Sequence, residues 1–307
     1  MMEIPPRKQD SAESLSEVWA KKYVENLLQF DSQEDLTQLD RAAVAKLLPE
    51  NLRSISAQAW TKTELFLADE VRRHGIDYGL VDPWAIAQDV HQVYAKTLAI
   101  YADGEKPARL SVEIAQDMGE IRNKYTNQES RLISYISMQF HFTGQLLLKL
   151  PLPSAEAAYL ADFFKVVDDN LYMPLKRAYD AAAQHDYSSP LLQAVRSLLP
   201  HITPIAQVIC RNVALANPKA ASLNGPLQNE EIQISSVRDV EMFQIYLCVC
   251  VLEEGISILQ QELFPICMML YPALQVRWNW VREWCFAWKS SCANAYCQLL
   301  LPFFNLI

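Results

Sequence analysis

Glycine is scarce in this chain, with seven among 307 residues, well under the usual share of roughly 7%. Sheet proteins rich in tight turns need glycine at positive φ, so the shortage favours helices joined by short loops. The same shortage removes the closely spaced glycines of a phosphate-binding loop. No Gly-x-Ser-x-Gly elbow and no kinase motif set is found either. Histidine is also sparse. His74, His91, His141, His185 and His201 are scattered, and none forms the i, i+4 pair of a zinc-protease helix.

Positive charge is in deficit: 27 Lys and Arg stand against 36 Asp and Glu, a net charge of −9. That argues against a nucleic-acid binder held by phosphate contacts. A membrane span needs about 20 mostly apolar residues, and no run supplies them. Val240–Leu252 is stopped by Glu253 and Glu254, the run 263–274 contains Pro265 and Pro272, and the tail 293–307 carries Asn294, Gln298, Pro302 and Asn305. A peripheral membrane contact remains open to such a tail. The first 14 residues lack the apolar stretch of a signal peptide, and the expected location is the cytoplasm. Residues 1–13 are expected to be disordered.

Hydrophobic residues make up 51% of the chain, and helix boundary signals recur along it. Ser14–Glu17 and Thr61–Glu64 match the capping box, in which a hydroxyl and a glutamate satisfy each other's backbone amides. Asp31 with Glu34 is a similar arrangement. Asp82-Pro83, Ser189-Pro190 and Thr203-Pro204 pair a capping residue with a first-turn proline. His74-Gly75, Asp103-Gly104 and Asn224-Gly225-Pro226 read as stops. Between these marks the spacing predicts helices near 11–20, 34–48, 54–73, 83–102, 109–124, 129–149, 155–185, 190–199, 204–216, 236–254, 256–270 and 273–290. Pro174 predicts a kink or break in the seventh of these, near 170–173. The fold class is therefore all-α, a multi-helix bundle-like body with a C-terminal helical layer. The expected division is a main body over 1–216, a connecting loop over 217–235, and a C-terminal subdomain over 236–307 rich in Trp and Cys.

Three groups of residues carry candidate chemistry. On the apolar helix at 129–149, Ser134, Ser137, His141 and Gln145 fall on one face. Ser137, His141 and Gln145 are the candidates for contacting a ligand or tetrapyrrole, against the plainer reading of an inter-helix hydrogen-bond seam. Asp168-Asp169 are adjacent on a helix, so their carboxylates diverge by about 100°; this pair and Glu253-Glu254 read as solvated faces or caps.

The third group is the C-terminal concentration of cysteine and tryptophan. All seven cysteines lie between Cys210 and Cys297. Cys248 and Cys250 point to nearly opposite helix faces. Cys285 and Cys292 share a face from which Cys297 drifts away, so none reproduces a zinc spacing and no metal site is expected. Core packing is the default for buried cysteine. Trp280, Trp284 and Trp288 line up at i, i+4, i+8, and tryptophan is enriched at binding hot spots. They are the candidate partner-binding residues, against the alternative that the helix closes the core.

The runs Ile133–Gly144, Phe164–Tyr179 and Arg238–Leu247, the last continuing to Arg277-Trp278, resemble a helical protein family of cyanobacteria to which no activity attaches. The resemblance covers about the middle two-thirds of the chain. It implies a cyanobacterial cytoplasm and a role near photosynthetic or regulatory assemblies. With no catalytic residues nominated and no cofactor expected, the preferred expectation is a non-enzymatic regulatory or assembly protein acting through protein contacts. The alternative is a helical ligand- or tetrapyrrole-binding protein using the stripe around His141.

Overall fold

The computed structural model describes residues 15, 17–20 and 41–291. The tail beyond Ser291, with Cys292 and Cys297, lies outside the described residues. So do Ser14, Ser16, Asp31 and Glu34 of the proposed N-terminal caps, and residues 1–13. Eleven α-helices and almost no strand are found among the described residues, so the fold is all-α. No described helix is long and apolar enough to cross a membrane. The chain divides into two compact units between Tyr172 and Met173, and Leu15 and Trp19 belong with the second. The segment 217–235 lies inside that second unit.

The first unit is built from α1 (Arg41–His74), α2 (Pro83–Ala102), α3 (Pro107–Gln128), α4 (Ile133–Leu147) and α5 (Ser154–Tyr172). Helix α1 packs against α4 and α2, and α3 packs against α5. The predicted gap between helices 34–48 and 54–73 is absent: α1 runs straight through Pro49. Proline removes one backbone donor, and on the following turn the Asn51 side-chain amide donates to Leu47 O at 2.9 Å. The capping box at Thr61–Glu64 is also absent, because these residues lie within α1. Thr61 and Thr63 instead donate to the carbonyls of Ala57 and Ala59, four residues back, the alternative bond open to a mid-helix threonine.

Other boundaries follow the predicted chemistry. The chain turns out of α1 at Gly75, with φ +60, and beyond the end of α2 at Gly104, with φ +80, a region glycine enters without a Cβ clash. Helix α2 opens as expected, with Asp82 Oδ1 accepting from the amides of Trp84 and Ala85. Helix α4 is buried around most of its circumference through Phe140. Gly144 is the close-approach position: a Cβ there would stand 2.6 Å from Tyr94 Oη. That hydroxyl donates to Phe140 O at 3.0 Å, and the Tyr94 ring packs edge-on to Phe164.

The second unit contains α6 (Leu175–Ala182), α7 (Pro190–Leu198), α8 (Ile202–Ala216), α9 (Glu230–Leu252), α10 (Phe264–Ala273) and α11 (Trp278–Ser291). The predicted helix 155–185 is interrupted at Pro174, with α5 ending at Tyr172 and α6 starting at Leu175. Thr203 does not cap α8, which starts one residue earlier; its hydroxyl donates to Glu241 on α9. Helix α9 is the axis of this unit, buried without interruption from Val240 to Leu252 and packed on α8, α6 and α7. It begins at Glu230 rather than 236, because Asn229 supplies the N-cap. The preceding loop holds a two-residue pairing, β1 (Ala221–Ser222) with β2 (Gly225–Pro226), and Leu223 N–H donates to Leu274 O at 2.9 Å.

A basic side chain ties the second unit together. Arg177 on α6 forms a bidentate pair with Glu253, Nε at 2.6 Å and Nη2 at 2.7 Å. It also reaches Ser257 and the Glu262 carboxylate. Glu262 sits in the π-helical turn Leu259–Leu263 that leads into α10. Planar guanidinium suits such forked contacts better than an ammonium would. Glu253, read from sequence as a solvated face or cap, is the C-cap residue of α9 and also one partner in this clamp.

Candidate functional site

The tryptophan row nominated as a partner surface faces inward. Trp280, Trp284 and Trp288 keep 4%, 4% and 1% of their surface exposed. Trp280 closes a small core with Ala214, Leu227 and Ile232. The Trp288 indole N–H donates to Gln244 Oε1 on α9 at 3.1 Å, and the Gln244 amide donates in turn to Ile202 O. The physical reason lies elsewhere on α11, where Arg282 and Glu283 take the solvent, while Arg277, just before the helix, lies over the Trp280 ring at 5.9 Å. Glu283 accepts from the Asn217 side-chain amide at 2.6 Å. The exposed aromatic residues of this segment are Trp278 and Phe286.

The polar stripe on α4 runs from buried to exposed positions. Ser134 and Ser137 are buried, and each donates at 2.6 Å to a carbonyl of its own chain segment, Arg131 O and Ile133 O. His141 is half-buried, with its ring edge-on to Phe142, and Gln145 is exposed. The buried seam on this helix centres on Gln139, which sequence reasoning passed over. Its side-chain amide donates to Ser56 O at 2.9 Å, and its oxygen accepts from Thr63 Oγ1 at 3.3 Å. Both partners lie on α1, which only the fold brings alongside.

Several other cysteine, aspartate and histidine side chains are buried or bonded within the fold. Burial pushes the Cys250 thiol up to about 12 and raises Cys210 and Cys267 further, so these sulfurs stay protonated and poor nucleophiles. Asp169 is buried with Lys165 Nζ at 2.6 Å. His185 bridges Leu252 O at 2.7 Å and Ser189 Oγ at 3.2 Å. No cluster of three or more His, Cys, Asp or Glu side chains able to hold a metal occurs among the described residues.

Among the exposed large hydrophobic side chains, two aromatics mark the corner where the chain turns from α1 into α2. Trp84 is 82% exposed and Tyr78 is 55% exposed. The backbone beneath them is fixed at several points. Asp77 Oδ1 accepts from Gly79 N–H at 2.8 Å, closing the short 3-10 turn Tyr78–Leu80. Asp82 holds the first turn of α2 in the same way. Arg131 Nη1 donates to His74 O at 2.8 Å, and the Gln128 amide reaches Leu80 O. Tyr78 lies near Tyr135, whose hydroxyl is pushed well up by burial first, then by Tyr78 and Glu64.

A wheel projection could have found Trp84. It stands two residues, about 200°, from Ile86, and Ile86, Val90, Val93, Tyr94, Thr97, Leu98 and Tyr101 form the buried face of α2. No family model, curated protein or solved structure matches this chain.

Proposed function

We propose that this chain is a non-enzymatic regulatory or assembly protein of the cytoplasm that works through protein–protein contacts. The observation that carries the reading is Trp84, 82% exposed on a corner whose backbone is pinned by two aspartate caps. An indole left in water forgoes burial worth several kcal/mol, at about 25 cal/mol per Å² over the 150–250 Å² of an aromatic side chain. A rigid scaffold lowers the ordering cost of docking, and exposed tryptophan supplies the type of anchor that dominates interface energetics. The interaction reading thus rests on the Tyr78–Trp84 corner, while the row at Trp280, Trp284 and Trp288 serves the core. The resemblance to a cyanobacterial helical family directs the search for partners to photosynthetic and regulatory assemblies.

The test is affinity purification of the full chain from native cells, wild type beside Trp84→Ala. The expected result is a stoichiometric protein that co-purifies with the wild type and is lost from a Trp84→Ala variant of unchanged melting temperature. An identical set of co-purifying proteins for both chains would overturn the assignment to this corner.

A further inference from the structure

The charges around the aromatic corner are one-sided. From Gly75 to Ala95 the chain has Asp77, Asp82 and Asp89 and no Lys or Arg. Four basic side chains of the flanking helices are matched to carboxylates, while exposed Lys62, two residues before Glu64 on α1, lies over the Phe142 ring at 5.8 Å. Arg72 pairs with Asp69 and Arg73 with Glu70. Lys124 pairs with Asp89, and Arg131 with Glu129. Asp77 and Asp82 have no ion-pair partner among the described residues, and each spends Oδ1 on a backbone cap. Glu64 is exposed on α1, one turn on from Trp60, whose ring stacks on Tyr135 at 6.0 Å.

Resting on the reading of this corner as a docking surface, we infer that it takes a basic segment of a partner protein, bearing Lys or Arg. The faces of Trp84 and Tyr78 cover the aliphatic stems of such side chains and attract their cationic heads. Glu64, Asp77 and Asp82 supply the opposite charge. The overall charge of −9 adds long-range attraction for the same class of partner. An anionic lipid surface meets the same carboxylates and is repelled.

The experiment uses the full chain and three nine-residue peptides that alternate Leu with Arg, Ser or Glu, titrated calorimetrically at low and high salt. The Arg peptide is expected to bind, to weaken with salt, and to lose at least tenfold in affinity with Trp84→Ala. Asp77→Asn, Asp82→Asn and Glu64→Gln should each cost about two- to fivefold, the range of an exposed ion pair. Asparagine caps helices as well as aspartate does, so the two Asn variants remove charge and keep the fold. If the Ser or Glu peptide binds as tightly as the Arg peptide and still depends on Trp84, the corner docks partners but the basic class is wrong. If no peptide's binding depends on Trp84, both the partner class and the corner fall. Trp84-dependent capture by phosphatidylserine vesicles would overturn the choice of a protein partner.

Discussion

Replacing Trp288 by alanine tests whether the tryptophan row is core. The side chain is 1% exposed, and its indole N–H is the donor to Gln244 Oε1 at 3.1 Å. Truncating a buried Trp to Ala costs about 3–5 kcal/mol in lost transfer energy and residual cavity. Orphaning a buried acceptor adds about 1–3 kcal/mol, giving roughly 4–8 kcal/mol in all. Domains are stable by only about 5–15 kcal/mol, so Trp288→Ala should unfold most or all of the second unit at room temperature. Trp288→Phe separates the two contributions: it keeps most of the packing, loses the donor, and should cost about 1–3 kcal/mol. Arg282→Ala, on the exposed side of the same helix, should stay within about 0.5 kcal/mol. The assay is urea unfolding followed by far-ultraviolet circular dichroism. A Trp288→Ala protein with wild-type midpoint and slope would refute the inward packing and return the row to the role of a partner surface.

Gly144→Ala places a methyl group 2.6 Å from Tyr94 Oη and should destabilise the first unit by about 1–3 kcal/mol. Adding Tyr94→Phe removes the clashing oxygen and should recover much of that loss in a double-mutant cycle. Arg177→Met breaks the fork to Glu253 at 2.6 and 2.7 Å and the contact to Glu262; with Arg177 partly exposed, about 1.5–3 kcal/mol is expected in the same unfolding assay. Stability should also fall with alkalinity. Folded Cys250 is pushed up to about 12 from 9.0, and Cys210 and Cys267 also lie above their ordinary value. The contribution is therefore whole below pH about 9, and from there the unfolded chain loses these protons first, so unfolding becomes steadily easier until the folded thiols ionise. Midpoints measured from pH 8 to 11 check the sign, and a rising midpoint would contradict it.

The helix ends legible in the sequence were those whose signal has one structural meaning. Asp82-Pro83 and Asp103-Gly104 bound α2 at residues 83 and 102, because a first-turn proline and a glycine at positive φ each fit few other settings. Thr61–Glu64 failed because a threonine hydroxyl can cap a helix or bond four residues back within one, and local sequence does not choose. The gap expected between 34–48 and 54–73 failed for a related reason, since the helix runs through Pro49. Proline weakens one turn, and a 34-residue helix packed against α2 and α4 spans the weak turn through tertiary contacts. The Gln139 seam could not be read at all, since Ser56 and Thr63 come alongside only once α1 and α4 are packed.

The tryptophans show what periodicity does and does not decide. Spacing identifies residues that share a face; it does not say which way that face points. The direction comes from what occupies the other side of the helix. On α11 the far side holds Arg282 and Glu283, with Arg277 just before it, and the indoles at 280, 284 and 288 turn inward. On α2 the apolar face is already complete without Trp84, which falls in a row with exposed Gln88 and His91. By that reasoning the crowded row packs into the core, while Trp84, on a polar face, stays 82% exposed.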